Sequence, residues 1–239
     1  NGYLSEDVND FSYQSIDSPE DLAWLLSVVN GENEQTASSL ETASIKQTAD
    51  IDLIKYVWVP IGSEPDSKEG DHPFGGMYDG QGHLITNLSI EYIGKSDHHY
   101  ERSNYGLFGM VDNGKINRTF AVSGLIKPES VPIIGDKDGD NAYNIGGLVG
   151  YLNGVNAEVT NSESALKIVC PNYNFANKVV AGGLVGQMAN GHIHSSMAMP
   201  FMSVGAFTTG DVGGLIGKSL AGDIFNSFVN AQFGINDEG

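Results

Sequence analysis

A glycine-leucine motif recurs four times between residues 105 and 217, and it constrains the fold more than any other feature. The copies lie at 105–109, 146–150, 182–186 and 213–217, with leucines at 107, 148, 184 and 215. A second motif, glycine followed two residues later by isoleucine, begins seven residues after three of these leucines. The copy at 146 departs from this spacing, since Gly154 is followed by valine at 159. Recurrence at such intervals is typical of repeat architectures in which each unit stacks on its neighbour.

The repeats predict a β-solenoid. We expect about three short strands in each repeat: the Gly-Leu run, the Gly-x-Ile run and a variable apolar run such as 201–204. Strands this short cannot bury an apolar face alone, whereas stacked coils bury it and pair the backbone. The interval between repeats varies, and we assign the variation to loops that leave the last corner, such as 127–143. The predicted fold class is all-β, a parallel β-helix of about five coils, expected to be right-handed.

Glycine and asparagine recur at fixed places in the repeat. The 31 glycines of the chain permit positive φ at corners and a close approach of stacked backbones. Asn87, Asn161 and Asn226 lie two residues after an isoleucine or valine, where another repeat has Ser195 and one has Arg118. Because strand side chains alternate, we expect these asparagines to point inward with the isoleucine.

One substantial helix is predicted at about 19–30. Ser18 is placed to cap its N-terminus, Pro19 suits the first helical position, and Gly31 suits the end. We therefore divide the chain into an N-terminal cap over 1–47 and a β-solenoid over 48–239, with repeats starting near 105, 146, 182 and 213.

Charge, cysteine content and the length of apolar stretches exclude several kinds of partner and structure. The net charge of −18 argues against nucleic acid and anionic membrane surfaces as partners, because phosphates are bound by clustered Lys and Arg. The lone Cys170 allows no intrachain disulfide. The longest apolar stretch, 22–29, is too short to span a bilayer, so we expect no membrane insertion. Because the sequence starts at Asn1, we expect that a leader has been removed.

The four motifs in register resemble the GLUG-repeat family, which is named for its Gly-Leu-apolar-Gly signature. The segments 48–53, 58–62 and 74–88 resemble the stretch that commonly precedes GLUG repeats, so the resemblance covers about residues 16–230. Tyr105, which replaces the first glycine, together with Arg118 and the lengthened second repeat, departs from the pattern. The resemblance implies a β-helix in an adhesin-like, secreted or surface-anchored bacterial protein of the Bacteroides type, for example a lipoprotein. It implies no catalytic residues.

One calcium-site candidate is the loop containing Asp136, Asp138 and Asp140. Their alternate spacing can supply three carboxylates to Ca²⁺, and apart from this ion we expect no cofactor. An EF-hand pattern would need a glutamate at position 147, which is glycine. A solvated turn-rich loop is the simpler interpretation.

Two carboxylates are the first suspects for catalysis. Asp50 and Asp52 alternate on an expected strand, and paired carboxylates hydrolyse glycosides. Because nothing else completes an acid, a base and a cleft, we predict no catalytic residues and a protein that is not an enzyme.

The histidines and tyrosines supply two weaker candidates. His192 and His194 alternate on an expected strand and could share a metal, but no carboxylate lies at a ligand spacing along the chain. Solvation or hydrogen bonding is the simpler role for every histidine. A glycan-stacking strip could be formed by a set of tyrosines: Tyr92, Tyr100, Tyr105, Tyr143, Tyr151 and Tyr173.

The first functional hypothesis is an adhesin-like protein at the bacterial surface or outside the cell, which binds a glycan or a protein through inter-coil loops. The alternatives are a carbohydrate-active enzyme on a β-helix and a purely structural stalk. The C-terminal end coil, near Phe233, carries no evident cap. We therefore expect either a further domain or a dimer contact there.

Overall fold

The chain winds as a β-solenoid. A computed structural model of the protein describes residues 14–31, 43–62, 72–91, 104–128, 142–170, 178–205 and 210–236. Within them the chain forms 26 short strands and one helix, numbered in chain order. Neighbouring strands are parallel and belong to successive coils, which gives about five turns. This confirms the predicted parallel β-helix, while its hand stays a prediction.

Each complete coil contributes one strand to each of five sheets, named 1 to 5 in the order in which the chain visits them. Sheet 1 contains β7 (Asn104–Tyr105), β12 (Ala142–Gly146), β17 (Lys178–Gly182) and β22 (Gly210–Gly213). Sheet 2 contains β8 (Phe108–Asp112), β13 (Val149–Asn153), β18 (Val185–Met188) and β23 (Ile216–Ser219). Four coils are therefore complete, because sheets 1 and 2 have four strands each.

The other three sheets extend further toward the N-terminus. Sheet 3 contains β1 (Gln14–Ile16), β2 (Ser44–Gln47), β4 (Met77–Asp79), β9 (Lys115–Asn117), β14 (Glu158–Thr160), β19 (His192–His194) and β24 (Asp223–Phe225). Sheet 4 contains β3 (Ile51–Asp52), β5 (Leu84–Thr86), β10 (Phe120–Ala121), β15 (Glu163–Ser164), β20 (Met197–Ala198) and β25 (Phe228–Val229). Sheet 5 contains β6 (Leu88–Glu91), β11 (Gly124–Lys127), β16 (Lys167–Val169), β21 (Phe201–Gly205) and β26 (Gln232–Asn236).

The prediction of about three strands in each repeat is wrong, since a coil has five. The Gly-Leu motif is not one strand but the bend between sheets 1 and 2. In the second complete coil Leu148 lies between β12 and β13, and both Leu148 and Val149 are fully buried. The bend allows consecutive side chains to face the core, which strand alternation would forbid.

The last glycine of the motif lies where sheets 1 and 2 approach each other closely. A Cβ atom on Gly186 would lie 2.6 Å from the carbonyl oxygen of Gly150 and 2.7 Å from the backbone nitrogen of Ile145. Both neighbours are backbone atoms that cannot move aside. Glycine is therefore required by close packing at this position, as the sequence predicted.

The prediction that the recurrent asparagines point inward is wrong. Asn87, Asn161 and Asn226 have φ values of 57°, 50° and 50°, and Asn161 and Asn226 are exposed. Ser195 and Arg118 share this left-handed conformation, with φ of 49° and 47°. In the four complete coils the left-handed residue turns the chain from sheet 3 into sheet 4 and interrupts the strand alternation, whereas Asn87 lies between β5 and β6 and turns the chain from sheet 4 into sheet 5. Asparagine is among the non-glycine residues that best tolerate this conformation.

A ladder of buried hydroxyl groups follows these left-handed residues. The backbone N–H of Thr119 donates to Ser162 Oγ at 3.1 Å, and the N–H of Ser162 donates to Ser196 Oγ at 3.2 Å. The N–H of Ser196 donates to Ser227 Oγ at 3.3 Å in the next coil. The ladder satisfies backbone groups that the corner leaves outside the sheets.

The predicted helix is confirmed as α1 (Pro19–Val29), capped by Ser18, whose side chain accepts from the N–H of Asp21 at 3.2 Å. Leu22 and Leu25 are fully buried in the core. Asn30 joins the helix end to the solenoid, because its Oδ1 accepts from the N–H of Gly62 at 2.8 Å. Sheet 3 continues through β1 and β2, so no break in this sheet marks the proposed division at residue 48.

The connections from sheet 5 to sheet 1 account for the variable repeat length. They cover 92–103, 128–141, 170–177 and 206–209. The loop predicted at 127–143 falls at this corner, between β11 and β12, but residues 129–141 lie outside the described residues and the loop stays a prediction.

Candidate functional site

Two columns of side chains run along the outer face of sheet 3, on either side of a buried column. The register pairs Glu158 with His192 and His192 with Asp223, so these three residues stack in successive coils. His194 lies in the second column, beneath Phe225 of the next coil. The buried Ile193 separates the two histidines, which consequently face outward together.

His192 is held between two acceptors. Its Nδ1 lies 2.6 Å from Asp223 Oδ1, and its Nε2 lies 3.2 Å from the carbonyl oxygen of Val155. The hydrogen bond to Asp223 raises the pKa of His192. The same hydrogen bond lowers the pKa of Asp223. Because each ring nitrogen faces an acceptor, the geometry favours the imidazolium form of His192.

His194 completes a cluster of three ligand-type side chains. Its Nε2 lies 3.6 Å from Asp223 Oδ1, is buried, and makes no hydrogen bond. The ring centroid of His194 lies 3.8 Å from that of Phe225, which holds the imidazole in place. The candidate ligand atoms of His192, His194 and Asp223 all lie within 4.8 Å of one another.

Spacing along the chain indicated the two histidines but not the carboxylate. Asp223 belongs to the next coil and lies far from both histidines in the sequence. The Gly-x-Ile motif could have indicated that Asp223 lies beside His192, because Gly191-His-Ile and Gly222-Asp-Ile are aligned copies of the motif. Residues that follow the aligned glycines become neighbours once the coils stack.

The two suspected catalytic carboxylates have structural partners. Asp50 Oδ1 accepts from the N–H of Leu84 at 2.9 Å and lies 3.2 Å from His83 Nδ1. Asp52 Oδ1 accepts from Asn87 Nδ2 at 2.7 Å and from the N–H of Ile54 at 3.0 Å. These hydrogen bonds lower the pKa of both carboxyl groups. A glycosidase acid needs a raised pKa, so neither group is suited to that role.

The calcium candidates Asp136, Asp138 and Asp140 lie outside the described residues, and the calcium site stays a prediction.

The tyrosine strip is only partly visible. The rings of Tyr105 and Tyr143 stack with centroids 6.0 Å apart, but Tyr143 is buried. Tyr151 is half-buried on sheet 2. The structure does not describe the other three, Tyr92, Tyr100 and Tyr173. Tyr143 therefore serves packing and does not offer an exposed ring for a glycan to stack on.

Cys170 is a core residue. Its side chain is fully buried, and burial raises the pKa of its thiol to about 12. A thiol with this pKa is not a nucleophile at neutral pH.

No protein-family model, curated protein or solved structure matches this chain. No helix in the described part of the chain combines the length and apolarity needed to cross a membrane.

Proposed function

We propose that this protein is an adhesin-like binding protein that acts outside the cell or at a bacterial surface. It binds a glycan or protein through the loops that join sheet 5 to sheet 1. One observation carries the proposal: all four variable connections from sheet 5 to sheet 1 leave and re-enter the solenoid at the same corner.

Stacking brings these connections together along one edge of the solenoid. Neighbouring strands lie about 4.8 Å apart, so four successive connections emerge within about 15 Å. Insertions that collect on one face of a repeat protein often form its binding surface. The motifs themselves are committed to packing and vary little, whereas the connections vary in length and sequence.

Sheet 5, from which these connections leave, also exposes side chains that suit a binding surface. Phe201 is 43% exposed on sheet 5, and Lys167 Nζ lies 5.9 Å from its ring centroid. A cation and an exposed aromatic ring side by side can contact both the hydroxyl groups and the apolar faces of a sugar.

The enzyme alternative has less support. The carboxyl groups of Asp50 and Asp52 accept hydrogen bonds from backbone and side-chain donors, and these bonds lower the pKa of both groups. Neither carboxyl group is suited to donate a proton at neutral pH. The stalk alternative differs from our proposal only in having no ligand.

A binding panel separates the three hypotheses. The intact chain is incubated with immobilised mucin and with soluble pectin and xylan, and both retention and newly formed reducing ends are measured. We expect retention without reducing ends. Reducing ends that disappear in Asp50→Asn would support the enzyme, and no retention on any probe would support the stalk.

Loop variants locate the binding surface. Replacing residues 130–139 by a short Gly-Asn linker should lower retention at least tenfold. The matched control is Val155→Ser, which changes a 67% exposed side chain at the corner between sheets 2 and 3. Equal retention by the linker variant and the control would contradict binding through this edge.

A further inference from the structure

We propose that His192, His194 and Asp223 bind a divalent first-row transition-metal ion, with Zn²⁺ as the probe, and that this ion links the third complete coil to the fourth. The site is independent of the proposed binding surface, because it lies on the outer face of sheet 3.

The spacing of the ligand atoms suits such an ion. Zinc bonds to nitrogen and oxygen are about 2.0–2.2 Å long, so tetrahedral ligand atoms lie about 3.3 Å apart. Asp223 Oδ1 lies 2.6 Å from His192 Nδ1 and 3.6 Å from His194 Nε2. Shifts of less than 1 Å bring these two pairs to that spacing, and the two histidine nitrogens lie within 4.8 Å of each other.

The backbone already orients one imidazole for binding. His192 Nε2 lies 3.2 Å from the carbonyl oxygen of Val155, which accepts a hydrogen bond from the protonated nitrogen. Metal-binding histidines usually donate their second N–H to a carbonyl or carboxylate in this way. Nδ1 is thereby directed toward Asp223, and a bound ion takes the place of the Nδ1 proton.

The second imidazole distinguishes this cluster from a simple pair of one histidine and one aspartate. His83 and Asp50 also form a His–Asp contact between coils, at 3.2 Å, without another histidine. His194 adds a buried Nε2 that has no hydrogen-bond partner and lies 3.6 Å from Asp223. Buried polar atoms are almost always satisfied, and coordination to a metal would satisfy this one.

The ligand chemistry selects the class of ion. Two imidazole nitrogens and one carboxylate suit zinc, nickel, copper, cobalt or iron, whereas calcium takes six to eight oxygen ligands. Three protein ligands leave a fourth position for water. The ion would fasten β24 to β19, in the coil whose outer side is exposed.

The test is a zinc titration of the intact chain after treatment with EDTA and buffer exchange. Isothermal titration calorimetry is run in excess Mg²⁺ and Ca²⁺, so that sites made only of oxygen ligands are already occupied. We expect binding by the wild type and a loss of at least tenfold in affinity at this site in His194→Gln and in Asp223→Asn. His83→Gln is the matched control and should bind as the wild type does.

Two further measurements keep the test decisive. Circular dichroism of each metal-free variant checks folding, and Asp223→Asn is the safer substitution because 58% of that side chain is exposed. Zinc should raise the melting temperature of the wild type by about 5 °C and leave that of Asp223→Asn unchanged. No zinc binding, or equal zinc affinity in folded His194→Gln and Asp223→Asn, would overturn the proposal.

Discussion

Single residues with special backbone requirements determine where this chain turns. Gly186 lies where another coil leaves no room for a Cβ atom. Asn161 adopts a left-handed conformation that ends its strand in sheet 3. Each requirement recurs in every complete coil, so it appears in the sequence as a periodic residue.

Gly186→Ala tests the close approach of sheets 1 and 2. Its Cβ atom would lie 2.6 and 2.7 Å from two backbone atoms, so the coils must separate. We expect the free energy of unfolding to fall by about 3 kcal/mol, the upper end of overpacking costs, as measured by urea denaturation. The control is Gly234→Ala, whose Cβ meets only the Phe201 side chain, at 3.2 Å. Similar losses in both variants would contradict the packing argument.

Arg118→Asn tests the ion pair between Arg118 and Asp79. Burial disfavours ionisation of Asp79, but hydrogen bonds from Arg118 and Gln81 outweigh it and lower its pKa. The pair therefore stabilises the fold above the usual carboxyl pKa of about 4, and less as the pH falls. Asparagine should keep the left-handed conformation, since two other coils use it there.

We expect Arg118→Asn to lower the free energy of unfolding by about 1–2 kcal/mol at pH 7. The expected loss is small because half of the Arg118 side chain is exposed. The loss should shrink at pH 3 in urea unfolding experiments. When Asp79 is already replaced in Asp79→Asn, adding Arg118→Asn should change the free energy of unfolding little at either pH. A loss independent of pH would show that the ion pair is not its source.

The sequence showed which positions recur in the repeat, but it did not predict the conformation or contacts of the residues at those positions. It located the position of Asn161 and Asn226, but strand alternation gave the wrong side for their side chains, and Asn87 lies at a different corner of the coil. Alternation fails at a left-handed residue, and nothing in the local pattern shows which residue adopts that conformation. The carboxylate of the candidate metal site was missed for a related reason, because Asp223 reaches His192 only through stacking of the coils.

At the level of elements, the coil is defined by its corners more than by its strands. Several strands are only two or three residues long, and the sequence predicted about three strands in each repeat where the structure has five. The helix was predictable because its cap, its apolar face and its end are all local signals. The solenoid was predictable because it repeats, whereas the corners within a repeat depend on contacts between coils.

Ser196→Ala tests the hydroxyl ladder that supports one corner. Ser196 Oγ accepts from the N–H of Ser162 at 3.2 Å and donates to the carbonyl oxygen of His194 at 2.8 Å. Its removal leaves a buried N–H without a partner, so we expect a loss of about 1–3 kcal/mol in chemical denaturation. The control Ser195→Asn should be neutral or stabilising, because asparagine suits the left-handed conformation. A neutral Ser196→Ala would mean that the ladder contributes no stability.

At the level of the whole molecule, the two ends of the solenoid differ. Helix α1 packs its apolar side chains into the core near β1, at the N-terminal end of sheet 3. At the other end, β22 to β26 are the outermost described strands of all five sheets. Ile224 and Phe233 are aligned with the buried Ile193 and Met202, yet they are 45% and 57% exposed. Among the described residues, this end exposes apolar side chains of the type that the other coils bury, on strands paired along one edge only.

A dimer contact, one of the two alternatives that the sequence predicts for this end beside a further domain, would bring two copies of the chain together. A two-fold axis would set the edges of the two last coils antiparallel, so that backbone groups could pair while Phe233 and Ile235 become buried. We expect a dimer in size-exclusion chromatography with light scattering, and a shift to monomer in Phe233→Lys combined with Ile235→Lys. The control Ile54→Lys changes a 69% exposed side chain outside this coil and should leave the dimer intact. A monomeric wild type at high concentration, or a dimer that survives both end substitutions, would contradict pairing through this surface.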